Sequence, residues 1–167
     1  VNGLPDGAFW RFSVDFYARP GVAEACLALQ ERSGADVNLV LLALWLGLQG
    51  HRLGAGPGRR LARLARDWQD PVIAPLRAVR RHLKRRADLP WPEPVAAWRA
   101  ELAGIELGLE QVEQLLLEAA VGTVSPAPAD AAAMRANLTA LELDRLLDAP
   151  ELETLLRTAA AAGLAGT

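Results

Sequence analysis

The chain has 167 residues, 51% of them hydrophobic and 23% charged, which suits one domain of ordinary size and excludes a disordered polypeptide. Alanine and leucine supply 62 residues against 18 from valine, isoleucine and threonine together, so the packing units are helices rather than strands. One cysteine and two histidines exclude an intrachain disulfide framework and an ordinary Cys/His zinc site, and the net charge of −2 marks no uniformly basic or acidic protein.

Asp6 stands as the N-cap of a first helix over 7–18, halted by Arg19-Pro20-Gly21. Phe9, Phe12 and Phe16 recur at helical spacing and give it an aromatic core face. A second helix runs from about Pro20 to Gly34, with Val22, Ala25, Cys26 and Leu29 inward. Asp36 caps a third, ending near Gln49, which is apolar on nearly every side from Val37 to Leu48 and is therefore placed at the centre. Its 12 residues reach about 18 Å, short of a bilayer core of about 30 Å, so no membrane span is expected. Val1 to Gly7 carries neither a basic nor an apolar leader, which points to the cytoplasm.

A glycine-rich connection over 50–58 leads to a fourth helix, about 58–69, with Leu61, Leu64, Ala65 and Trp68 inward. Asp70-Pro71 reads as N-cap and first position of a fifth, about 71–87, whose stripe is Ile73, Leu76, Val79 and Leu83. After the elbow Leu89 to Pro94 comes the most regular pattern in the chain. Val95, Trp98, Leu102, Ile105, Leu109, Val112 and Leu116 alternate spacings of three and four, a heptad seam on a helix over 93–120. Residues 122–129 are a Pro/Ala linker, followed by two Ala-rich helices, about 130–147 and 150–162. The expected fold is all-α: a compact bundle of seven or eight helices around 37–48. The expected organisation is a main helical domain over 1–121, the linker, and a C-terminal hairpin over 130–167 able to pack on the main domain.

The charges are segregated along the chain. Residues 52–86 carry ten arginines and Lys84 against two acids, whereas residues 87–167 carry four arginines against 13 acids. Arg59, Arg60 and Arg63 on the fourth helix, and Arg77, Arg80, Arg81, Lys84 and Arg85 on the fifth, form a basic surface suited to a polyanion or to an acidic partner. The competing reading is internal: a short elbow lets the long helix turn back, so that Glu106, Glu110 and Glu113 neutralise part of the row. Arg11, Asp15, Asp36 and Asn38 are the polar residues of the most apolar region, suited either to capping and an Arg11–Asp15 ion pair or to a small polar pocket. No serine sits in a nucleophile turn, Cys26 lies on an apolar stripe, and Gly54 to Arg60 lacks the Gly-Lys-Ser/Thr of a phosphate loop, so no catalytic residue, metal or cofactor is assigned.

Phe9-Trp10-Arg11-Phe12-Ser13, Tyr17, Pro20-Gly21-Val22, Cys26-Leu27, Gly34-Ala35-Asp36-Val37-Asn38 and Leu44-Trp45 resemble a small family of uncharacterised proteobacterial proteins with a domain of unknown function. The resemblance is clearest over residues 9–52; it implies a bacterial, cytoplasmic protein and brings no activity with it. The expected function is therefore a non-enzymatic helical module that binds a protein partner or itself through the seam and the charge blocks. Nucleic-acid or other polyanion binding is the alternative, and a small-ligand or metal-dependent enzyme the third.

Overall fold

In the computed structural model, which describes residues 3–86 and 88–164, the chain folds into eight α-helices: α1 (Ala8–Tyr17), α2 (Val22–Ser33), α3 (Val37–Leu48), α4 (Ala55–Trp68), α5 (Ala74–Arg85), α6 (Pro92–Ala120), α7 (Ala131–Ala140) and α8 (Pro150–Leu164). Two-residue strands β1 (His51–Arg52) and β2 (Ser125–Pro126) form one small antiparallel ladder. Residues 1–2, 87 and 165–167, which fall within or at the margins of the expected units, lie outside the described residues. The fold is all-α, and no helix among the described residues is long and apolar enough to cross a membrane.

The helix boundaries follow local chemistry. Asp36 accepts a hydrogen bond from the Asn38 N–H at 2.9 Å and starts α3. Gly34, at φ 62°, closes α2 in the left-handed conformation that a side chain resists. The expected cap at Asp6 is corrected. Gly7 holds the cap position without a side-chain bond, and the carboxylate of Glu118, from α6, accepts the Ala8 and Phe9 N–H groups at 3.2 Å each. The first orphan amides of α1 are thus satisfied from across the fold. Arg11 pairs with Asp6 at 3.2 Å, not with Asp15.

A second correction concerns Asp70-Pro71. The chain does not break there: α4 passes into a π-helical turn, Gln69–Ile73, and continues as α5. Proline lacks an N–H and crowds the preceding turn, and one widened turn absorbs it without ending the helix. A third concerns α7, which stops at Ala140 rather than running on to 147. Glu142 adopts φ 61°, and the Leu143 and Glu142 N–H groups bond back to the Leu138 and Thr139 carbonyls. That is a Schellman closure, with the buried pair Leu138 and Leu143 supplying its apolar contact. No glycine signals it. The chain then forms a 3₁₀ turn, Asp144–Leu146, before α8.

The core sits around α3, which touches α1, α2, α6, α7 and α8. Leu39 to Leu44 and Leu46 are buried, as the all-round apolar pattern demands. α7 crosses α3 closely: a Cβ on Gly47 would meet the Met134 backbone nitrogen at 2.9 Å, so only glycine admits the approach. Between α3, β1 and α7 lies Asn137, fully buried. Its Oδ1 accepts the Leu53 N–H at 2.8 Å and its Nδ2 donates to the His51 and Ala43 carbonyls at 2.9 and 3.3 Å. It satisfies the loop carrying β1, which pairs with residues of the Pro/Ala segment.

α6 differs most from expectation. The heptad seam is not its core face: Trp98 is 63% exposed and Ile105 47%, Leu116 is exposed as well, and Val95, Leu102, Leu109 and Val112 are only half-buried. The buried residues of α6 are Glu106, Glu113, Gln114 and Leu117, spaced seven, one and three apart. A polar stripe at helical spacing faces inward because its neighbours there are the charged face of α5 and the capped end of α3. α5 is turned the same way. Val79 faces solvent, while Arg77 and Arg80, expected on its outer faces, lie between α5 and α6.

Candidate functional site

The polar centre of the bundle is assembled from four elements. α6 contributes Glu106, Glu110, Glu113 and Gln114, all on one face by their spacing of four, three and one. α5 lies against α6 and contributes Arg77 and Arg80. The π-helical turn contributes Gln69, and the start of α3 contributes Asp36 and Asn38.

The arginines meet the glutamates directly. Arg77 donates from Nε to Glu106 Oε1 and from Nη2 to Glu110 Oε1, both at 2.8 Å. Arg80 donates from Nε to the other oxygen of Glu106 at 2.7 Å. Burial alone would raise the Glu106 carboxyl; hydrogen bonds from Arg80 and Arg77 outweigh it and hold Glu106 below the usual range. Glu110, with one arginine contact and Glu106 beside it, is raised by burial.

Glu113 has no arginine. Its Oε2 accepts Asn38 Nδ2 at 2.8 Å and Gln69 Nε2 at 2.7 Å. Its Oε1 has no N–H or O–H partner among the described residues. The Asp36 carboxyl lies close enough for its charge to act on Glu113. Burial, then the charge of Asp36, pushes the Glu113 carboxyl up to about 9, and burial raises Asp36 as well. Glu113 is therefore the carboxyl that keeps its proton, with Oε2 in contact with both amides. That arrangement orients the amides beyond it. Asn38 must turn its Nδ2 to Glu113, so its Oδ1 accepts Gln114 Nε2 at 2.8 Å. The chain ends at Gln114 Oε1, which is buried and receives no donor.

Beside this network is a cleft of about 450 Å³, open at one side. Its floor includes Asp36, Asn38, Arg77, Glu110 and Gln114. Its apolar lining comes from Trp10, Val14 and Tyr17 of α1, Leu27 of α2 and Leu107 of α6, and Gln30 of α2 and Arg80 of α5 add polar side chains. The Tyr17 hydroxyl lies near the Cys26 thiol; burial raises both, the thiol to about 12, so Cys26 is a buried neutral group rather than a nucleophile.

The residues singled out from sequence are distributed as follows. Asp36 and Asn38 share the cleft, whereas Arg11 is exposed on its pair with Asp6, and Asp15 lines a different cleft beside Phe12 and Phe16. Arg77 and Arg80 are engaged by α6; Arg81, Lys84 and Arg85 are exposed. Arg59, Arg60 and Arg63 are exposed on α4 around a shallow depression with Asp67. Sequence reasoning did not reach Gln69, Gln114, Trp10 or Tyr17 as site residues. The signal for Gln114 was its place one residue after the glutamate row; nothing local marked Gln69, which reaches Glu113 because of the π-helical turn. Among the described residues no group of three or more His, Cys, Asp and Glu could hold a metal ion.

No curated protein and no solved structure matches the chain. A family model does: it matches residues 8–117, a stretch that contains α1 to α5, every residue of the polar centre and the apolar rim of its cleft. The chain belongs to the family that model defines, described as a protein of unknown function, DUF2390.

Proposed function

We propose that the protein is a helical interaction module that associates with a second copy of itself through the exposed face of α6. The observation that carries this reading is the uncovered seam. Trp98, Ile105 and Leu116 are exposed on a single helical row of about 27 Å, with Trp91 exposed just before the helix begins. Scattered exposed hydrophobics are ordinary, but a row of this length on one helix is the pattern of a docking face.

Charge complementarity favours a copy of the same chain as the occupant. Arg81, Lys84 and Arg85 are exposed on α5, and Glu93 and Glu101 on the neighbouring α6. A two-fold relation lets the basic edge of one α5–α6 arm lie beside the acidic edge of the other. Sedimentation velocity over a range of protein concentrations, at low and at high salt, tests this. The expected result is a dimer that weakens with salt and is abolished by Trp98→Glu with Ile105→Lys, while circular dichroism stays unchanged. A monomer at every concentration removes the reading.

A second reading, polyanion binding, is favoured by the exposure of Arg59, Arg60 and Arg63 on α4 together with Arg81, Lys84 and Arg85 on α5. It has less charge to work with than the full row, since Arg77 and Arg80 are spent on α6. A gel shift at low salt, lost when Arg81 and Arg85 are changed to Glu, supports it, and no shift at low salt ends it.

A further inference from the structure

We propose that the cleft between α1, α3 and α6 is a binding site for a small organic cation, a protonated amine carried on an apolar body. In the cleft three amide nitrogens are already engaged: Asn38 Nδ2 and Gln69 Nε2 bond Glu113, and Gln114 Nε2 bonds Asn38. The cleft atom left without a partner among the described residues is an acceptor. Gln114 is 3% exposed, lines the cleft, and leaves Oε1 without a donor. A buried acceptor in that state is costly, and a ligand N–H repairs it. Turning the Gln114 amide alone does not, because it would set Gln114 Oε1 against Asn38 Oδ1.

The charge balance asks for the same partner. Asp36, Glu106, Glu110 and Glu113 face Arg77 and Arg80. With Glu113 protonated, three carboxyls remain against two arginines, and among the described residues Glu110 has only Arg77 as an ion-pair partner. A cation completes the set, and a neutral or anionic ligand does not. The walls suit the rest of such a molecule. Trp10 and Tyr17 offer aromatic surface for a cation or a ring, and Val14 and Leu107, both about half exposed, form an apolar mouth. At about 450 Å³ the space lies within the range of small-ligand sites.

The test uses hexylamine and 2-phenylethylamine as probes, with 2-phenylethanol and phenylacetate as neutral and anionic matches of shape. Binding is read by calorimetry and by the indole N–H resonance of Trp10 in the full chain. Both amines are expected to saturate the site below about 10 mM, with the alcohol and the acid at least about tenfold weaker. Glu110→Gln is expected to weaken amine binding by about tenfold or more. Val14→Trp, a substitution at the exposed rim that leaves the core untouched, is expected to abolish it by filling the mouth. Failure of both amines to bind overturns the proposal. So does equal binding of the acid, the alcohol and the amine, or amine binding that survives Val14→Trp.

Discussion

Where α3 meets α7, a glycine lets two backbones close on one another, and the side chains around the crossing are leucine, alanine and methionine. Where α6 meets α5, long charged side chains hold the helices together, and α5 has no residue that is fully buried. The first contact is stabilised by apolar area and shape, so it depends on volume. The second contact is stabilised by matched charges out of full water, so it depends on both partners being present. The same bundle thus contains an interface sensitive to one methyl group and another sensitive to one charge.

The largest expected effect strikes the second interface. Arg77→Ala leaves Glu106 without one of its two arginines and Glu110 without its only ion-pair partner among the described residues, at a position where the arginine side chain is 12% exposed. Removing one member of a buried pair costs about 3–5 kcal/mol, which urea unfolding will register. Arg77→Lys keeps the charge but loses the two-armed geometry, and its loss should fall in between. If Arg77→Ala unfolds at the wild-type midpoint, the charged interface contributes nothing and the contrast with α3–α7 collapses. The corresponding probe of the apolar interface is Gly47→Ala. A Cβ there meets the Met134 backbone nitrogen and side chain, and the crossing helices have to separate. Overpacking of that kind costs about 1–3 kcal/mol, measured in the same denaturation series.

How much of this was legible beforehand divides along the same line. The apolar half was readable because a helix oily on all sides, Val37 to Leu48, can only be surrounded by protein, and because Asp36 and Gly34 are ordinary helix punctuation. The antiparallel approach of Arg77 and Arg80 to the glutamate row followed from the short elbow between α5 and α6. Period alone could not say which face of α6 turns inward. The heptad of Trp98 and Ile105 and the polar stripe of Glu106, Glu113 and Gln114 have similar spacing, and what selects between them is the chemistry of the neighbours. Asp70-Pro71 misled for a related reason, since a π-helical turn satisfies the proline that a helix start would also satisfy. Gln69 then reaches Glu113 only because that turn alters its facing.

Acidity sharpens the comparison further, because only the polar interface titrates. The Glu113 carboxyl, raised by burial and by Asp36 to about 9, stays protonated in the fold at a pH where the unfolded chain has released that proton. The folded state therefore binds the extra proton between about 4.5 and about 9, and stability falls as pH rises through that window, by at most about 1.4 kcal/mol per pH unit for one proton. Glu110, also raised, adds to the same slope. Glu106, held low, contributes stability that is lost as pH falls toward the acid range. Glu113→Gln keeps the shape of the protonated acid, and it cannot titrate. Unfolding curves at pH 5 and pH 8 should converge in this variant relative to the wild type. Parallel losses in both proteins would mean that Glu113 holds no extra proton in the fold.

The smallest effect on stability is expected where the sequence pattern is most regular. Trp98 is largely exposed at the surface of α6, and its replacement by serine removes no core contact. Exposed substitutions away from caps and networks shift stability by about 0.5 kcal/mol or less. If the seam exists for association, Trp98→Ser leaves the unfolding midpoint of a dilute sample almost unchanged. It removes only the part of the stability that rises with protein concentration, because a partner that binds the folded state stabilises it by mass action. Measuring the melting temperature of wild type and variant at two concentrations about a hundredfold apart separates the two roles. A concentration-independent drop in the variant would assign Trp98 to the fold of the single chain, against its exposure. A wild-type melting temperature that climbs with concentration, and a variant whose does not, would assign the heptad to the contact between copies.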